Sequence, residues 1–150
     1  MNKRLVGAVV VCLLLVGSYV VTAQVARPYR NGSVWNVGFI RVKPGMGEAY
    51  LAYLAGDWKK EQEALKSAGL ILSYKVLQTE PHNPGDFTLM LMTEYKDLAT
   101  LEANESKADA IMQQVIGNDQ KQMQGYKDRA EIREVLGNRL AREIILQPRQ

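Results

Sequence analysis

His82 is the one histidine in the 150-residue chain, so any chemistry that needs an imidazole rests on it. It could act as a general base, or as a ligand to haem or a metal, because imidazole changes charge near neutral pH. It stands between Pro81 and Pro84 in the turn-like run TEPHNPG, so an exposed loop residue with no chemical duty is the competing reading. A single histidine excludes a site built on several imidazoles, and a Ser-His-Asp triad would depend wholly on it. Carboxylates supply a second candidate. Asp57, Glu61 and Glu63 share one helical stretch, and Glu61 falls on its apolar stripe. A carboxyl buried there holds its proton more tightly and becomes a proton shuttle near neutral pH. The alternative is a solvated helix face, although Asp57 and Glu61 are like charges four residues apart. Asn36 is the third candidate. It shares a strand face with Val34, Gly38, Ile40 and Val42. It could line a cavity, with Gly38 leaving room beside it, or be a satisfied strand asparagine. Met90 and Met92 alternate with Leu89 and Leu91 and read as core rather than as copper ligands. No GxGxxG, Walker A, HExxH or GxSxG pattern occurs, which removes the common phosphate-loop, zinc-protease and serine-hydrolase readings.

The chain begins as an export signal would. Lys3 and Arg4 form a basic start, Leu5 to Val21 is mostly apolar, and Val21-Thr22-Ala23 offers small residues for cleavage before Gln24. An uncleaved anchor is the alternative, since the run sits at the short edge of a bilayer span. Either way residues 24–150 are expected outside the cytoplasm, in a periplasm or secreted. Cys12 lies inside this segment and is the one cysteine. The mature chain would then have no disulfide, no thiolate nucleophile and no Cys-ligated metal. Loss of Lys3 and Arg4 from the 19 Lys and Arg leaves 17 against 16 Asp and Glu. Such a balance gives no case for nucleic-acid binding or for membrane contact beyond the signal.

These candidates need elements to hold them. Residues 24–33 carry Pro28, Asn31 and Gly32 without an apolar period and read as a flexible leader. Val34–Val42 is β-branched and aromatic with apolar groups on both faces, which predicts a strand buried on both sides. Lys43-Pro44-Gly45 makes the corner. Met46–Ala68 then runs at helical spacing through Tyr50, Leu54, Trp58, Glu61 and Leu65, and Gly69 stops it. Leu70–Gln78 and Asp86–Tyr95 predict a strand pair across the loop that holds His82. Lys96 to about Val115 predicts a helix, and Asp119 to about Leu136 another. Gly137-Asn138 reads as a stop. Arg139–Gln147 predicts a last strand, or a continuation of the helix. The order β-α-β-β-α-(α)-β is that of a ferredoxin-like split β-α-β unit. Residues 34–150 form one domain of α+β class. Helices would cover one sheet face, and a second copy of the sheet would cover the other in a homodimer.

At this point the chain resembles the dimeric α/β-barrel superfamily. That group includes antibiotic-biosynthesis monooxygenase-like, EthD-like and NIPSNAP-like proteins, muconolactone isomerases and haem-degrading monooxygenases. The resemblance rests on IRVKPGMGEAYLAYL, the strand pair Leu70–Gln78 and Asp86–Tyr95, and the helix opening YKDLATLEA. It implies a barrel cavity that holds a small apolar organic molecule without a tightly bound cofactor. By analogy with the cofactor-free oxygenases, Asn36, Tyr50, Tyr53, Trp58 and Tyr74 are the residues expected to line it. An enzyme of this kind would be a cofactor-independent monooxygenase or isomerase. Haem-degrading members carry a histidine on the helix after the third strand, and residues 96–115 contain none. The rival is a non-enzymatic envelope or stress-related module whose extra C-terminal helix engages a protein partner. A deep cavity at Asn36 would favour binding, and an apolar patch exposed over residues 120–136 would favour the rival.

Overall fold

Strand β1 (Tyr29–Val42) starts at Tyr29 rather than at Val34. The computed structural model describes residues 27–148. The expected signal at 1–23 and residues 24–26 of the leader lie outside the described residues. Tyr29–Ser33, read as leader, belongs to the strand. Tyr29, Arg30 and Asn31 pair with Leu146, Ile145 and Ile144 of β4 (Arg133–Leu146), and the register slips between Asn31 and Val34. A segment with no apolar pattern of its own becomes extended because a distant strand supplies its hydrogen-bond partners. The Asn31-Gly32 pair, turn-like by type, is absorbed as an irregularity in the ladder.

The Lys43-Pro44-Gly45 corner follows. Gly45 takes φ +77°, and the Met46 N–H donates to the Lys43 carbonyl at 3.0 Å. The next helix has three parts: α1 (Gly47–Tyr53), a π-helical turn (Leu54–Trp58) and α2 (Lys59–Ser67). The sequence explains the middle part. The buried residues are Tyr50, Leu54, Trp58, Gln62 and Leu65, mostly in steps of four. On an ideal helix each such step drifts about 40° round the axis, so three steps would carry the stripe off the sheet. A wider turn absorbs that drift and keeps one face inward. It also corrects the expected stripe. Gln62, not Glu61, is the buried member, its amide oxygen accepting from the Thr93 hydroxyl at 2.9 Å. Glu61 is half-buried at the stripe's border.

Gly69 closes α2 with φ +72°, and the Leu70 N–H reaches back to the Leu65 carbonyl at 3.0 Å. That back-bond keeps Leu70 and Ile71 out of the strand and buries them against Leu65, so β2 is Ser73–Gln78. The third strand, β3 (Leu89–Tyr95), is likewise shorter than expected. The Asp86 carboxylate is drawn into the loop by the N–H groups of His82 and Asn83. The helix expected over 96–115 is two: α3 (Leu98–Ala103), capped by Asp97 on the Thr100 N–H at 2.7 Å, and α4 (Glu105–Val115). The break is at Asn104, whose side-chain amide donates to the Thr100 carbonyl at 2.7 Å. Helix α5 (Asp119–Ala130) is capped by Asn118 and ends well before Leu136.

From Arg133 the chain is strand, so the expected boundary at Gly137 falls inside β4. Pairing with β1 decides this: Val42 opposes Arg133, Arg41 opposes Glu134 and Ile40 opposes Val135. Gly137 sits at a bulge opposite Phe39, with φ +153°, a conformation that suits glycine. A long-range ladder here overrides a locally helical pattern.

The sheet order is β2-β3-β1-β4, with every neighbouring pair antiparallel. This is the ferredoxin-like α+β arrangement, and Tyr29–Pro148 form one compact unit. On one face Ile40, Val42, Leu89, Leu91, Tyr74 and Tyr95 pack in the two clusters that include Tyr50, Leu54, Trp58, Leu65 and Ile111. On the other face Trp35, Val37, Phe39, Met90 and Met92 join neither cluster. There Phe39 meets Phe87 edge to face at 4.8 Å.

Candidate functional site

Four of the five residues expected to line a pocket come together. Tyr50 and Tyr53 stack with ring centres 5.8 Å apart, and Trp58 meets Tyr74 edge to face at 5.4 Å. Tyr50 has no exposed surface and Trp58 is nearly as buried, both packed with Ile40, Leu54 and Leu89. Along their shared faces these rings are filled core rather than the wall of a void. The Tyr74 hydroxyl donates to the Glu63 carboxylate at the helix surface, and that bond pushes the tyrosine's pKa up.

Asn36 stands apart from this group. It opposes Thr93 on one side and Leu140 on the other, four residues and so about 13 Å along the strand from Ile40. The room expected beside it at Gly38 is taken. A Cβ on Gly38 would lie 3.0 Å from the Asn138 amide oxygen, an atom supplied by the strand that the sequence pattern places only loosely. His82 is exposed in the β2–β3 loop, where its backbone N–H donates to Asp86 at 3.0 Å.

Glu61 lies at a cavity. A space of about 530 Å³ opens between the π-helical turn, α2 and α5, with Asp57, Glu61, Met112, Ile116, Tyr126 and Arg129 among its walls. The extra residue of the π turn sets where Asp57 and Glu61 emerge, which is how such turns re-aim side chains beside a site. Burial pushes the Glu61 carboxyl up to about 7. Arg129 opposes the shift and the Asp57 charge adds to it. Tyr53 is pushed up to about 12, first by burial and then by Glu61, so its hydroxyl stays a neutral donor at physiological pH.

Two arginines tie α5 and the start of β4 to these tyrosines. The Arg129 guanidinium lies 4.7 Å from the Tyr53 ring centre, and Arg133 lies 5.6 Å from Tyr50 and 5.8 Å from Tyr126. Stacking a guanidinium on a ring is favourable by roughly 0.5–2 kcal/mol. It leaves donors over. Among the described residues the Tyr50 hydroxyl, Arg129 Nε and Arg133 Nε are buried without a hydrogen-bond partner, an arrangement that asks for an acceptor. Sequence reasoning missed Tyr126, Arg129 and Arg133, because α5 has no apolar period to mark an inner face. The signal was present in GYKDRAEIR, where an aromatic and two arginines recur in steps of three and four.

The chemistry open to this arrangement is proton transfer and anion binding. A carboxyl with a pKa near 7 can both take and return a proton at neutral pH. Among the described residues no group of three or more His, Cys, Asp and Glu could hold a metal, and no helix is long and apolar enough to cross a membrane.

Fold and cavity together define an α+β ferredoxin-like protein with a helix-side crevice. No family model matches the chain, and no curated protein matches it. Solved structures do. A dimeric ferredoxin-like protein from an uncultured marine organism is 12% identical, with 79% of this chain and 92% of that one covered at a TM-score of 0.50. A second dimeric ferredoxin-like protein from an uncultured marine organism is 14% identical, covering 79% and 99% at 0.49. A NIPSNAP family protein of unknown function from Agrobacterium tumefaciens is 12% identical, covering 77% and 90% at 0.47. The first of these agrees with the ferredoxin-like fold that the strand and helix order implies. At such identity the likeness concerns fold and leaves the chemistry to the site.

Proposed function

We propose that this is an exported, homodimeric ferredoxin-like protein that binds a small organic molecule in the crevice beside Glu61. On this reading it acts by proton transfer, without a tightly bound cofactor. The observation that carries the reading is the Glu61 carboxyl, held near pKa 7 by burial at a cavity it shares with Asp57, Arg129 and Tyr126. Glu61 would take a proton from an activated C–H of the bound molecule and return it at a second carbon. That is an isomerase-type step, balanced without an oxidant. On this reading the pocket lies on the α5 side rather than at Asn36, a choice supported by Asn138 taking the room beside Gly38. Two features support the dimer: the ferredoxin-like neighbour described as dimeric, and the large apolar side chains on the helix-free sheet face. Export rests on the basic, apolar and small-residue order of positions 3–23.

Native mass spectrometry of the exported protein, purified under mild conditions, tests all three parts. A dimer that begins at Gln24 and carries a stoichiometric organic adduct, lost in Glu61→Gln, is the expected result. A monomer would sink the two-sheet argument, and an adduct indifferent to Glu61 would move the site elsewhere.

A protein-interaction module is the second reading. Met123 on α5 and Leu140 on β4 are 61% and 59% exposed, and Leu136, between them in sequence, is also exposed; large exposed apolar side chains are the kind that a partner covers.

A further inference from the structure

Beside the Glu61 crevice lies a second cavity of about 450 Å³, lined by Lys43, Tyr126, Ala130, Arg133, Glu134 and Val135. Tyr126 lines both cavities. Their charges differ. The first holds Asp57, Glu61 and Asp128 against Arg129 and Lys121. The second holds Lys43 and Arg133, and its one acid, Glu134, is engaged by Arg41. Among the described residues that is the one ion pair, so no carboxylate stands within pairing distance of Lys43, Arg129 or Arg133. One of the buried donors without a partner, Arg133 Nε, belongs to a residue that lines this second cavity, and Arg129, whose Nε is likewise unpartnered, lines the first. Two cations in one cavity, one of them with an unpartnered N–H, and an acid engaged elsewhere make a local deficit of negative charge.

We infer that the second cavity is an anion subsite, and that the ligand of the crevice is a small organic acid. Its anionic oxygens sit at Lys43 and Arg133. Its uncharged body crosses Tyr126 toward Glu61, against Met112 and Ile116. This rests on the small-molecule reading of the crevice and adds the class of ligand to it. A guanidinium offers a planar pair of N–H donors that matches a carboxylate or phosphate edge, and stacking on Tyr50 and Tyr126 holds that plane in place. An oxyacid group is therefore the chemistry recognised, and a neutral isostere leaves the cations unmatched. The Lys-Pro-Gly corner gains a second role here: it turns the chain into α1 and delivers Lys43 to the ligand's charged end.

The test uses the full dimer and three probes of one shape, benzoate, phenyl phosphate and benzamide, at constant ionic strength. The readouts are the arginine Nε–H and Glu61 carboxyl NMR signals. Benzoate or phenyl phosphate should shift Arg133, Arg129 and Glu61 saturably, and the better of the two names the oxyacid. Benzamide should bind at least about tenfold more weakly, as loss of charge-assisted hydrogen bonds implies. Arg133→Met should remove that preference. Lys43→Met should weaken it too, and because Lys43 is exposed this variant serves even if the arginine change unfolds the protein. Equal binding of benzamide and benzoate at Glu61 would overturn the anion subsite and leave the crevice reading standing. No shift at Glu61 with any probe would remove the crevice reading, and the subsite with it. Shifts scattered over surface lysines alone would overturn the subsite.

Discussion

The Arg129 guanidinium lies 4.7 Å from the centre of the Tyr53 ring, and this contact joins a helix with no apolar stripe to the helix that carries Glu61. Arg129 also holds the Glu61 pKa down against burial. Arg129→Met keeps most of the stem and removes the charge. The Glu61 titration midpoint should then rise above about 7, and stability should fall by about 1 kcal/mol through the lost ring contact. A carbon-13 titration of the Glu61 carboxyl reads the first effect. An unmoved midpoint would mean that Arg129 does not face Glu61.

The pH dependence of stability follows from the same carboxyl. The folded chain keeps the Glu61 proton up to about 7, whereas the unfolded chain releases it near the ordinary value of 4.5. Between these limits the folded state binds more protons, so this group's contribution makes stability fall as pH rises. Glu61→Gln removes that fall. Above pH 7 the variant should be the more stable, by on the order of 2 kcal/mol after allowance for partial exposure. Urea midpoints from pH 4 to 8 would check it, and parallel curves for the two proteins would contradict the burial of Glu61.

The π-helical turn makes a geometric prediction. Ala55 is an exposed residue within it. Deleting Ala55 should turn Leu54–Trp58 into ordinary helix and rotate Gln62 and Leu65 off the sheet by about 100°. The lost burial should cost several kcal/mol, on the scale of removing a large core side chain. Ala55→Ser, which keeps the count, should be nearly neutral. If the deletion melted like the parent, the four-residue spacing would not be what holds the turn.

The helix-free sheet face predicts the assembly. Leu77 opposes Met90 on that face and is 43% exposed. Leu77→Glu should be tolerated by the monomer and place a charge in the proposed dimer interface. Light scattering should then give half the parent mass, with helix and strand content unchanged. A dimer that persists would move the interface to another surface.

Much of the fold was legible because it is local. The β-branched run Val34–Val42, the Lys43-Pro44-Gly45 corner and the stop at Gly69 each set their own backbone, and the order of elements then left few topologies. Legibility failed at the two ends. Tyr29–Ser33 and Arg133–Leu136 look like leader and helix by composition, yet each forms strand because it pairs with the other end of the chain. No window of sequence contains both halves of that ladder.

The site divides the same way. By itself the sequence singled out Glu61 as a carboxylate on the apolar stripe, a place that Gln62 takes in the structure, and the family resemblance gathered Asn36, Tyr50, Tyr53, Trp58 and Tyr74 as a pocket set, of which Asn36 stands apart. Tertiary structure decided what those faces meet. It filled the space at Gly38 with Asn138, buried Tyr50 and Trp58 in the core with Tyr53 and Tyr74 packed against them, and brought Tyr126 and Arg129 from far along the chain to the cavity that holds Glu61, with Arg133 at the cavity beside it. Helical period reports a direction from one axis, whereas a cavity depends on the distance between two axes, and that distance is fixed only when the whole sheet is paired.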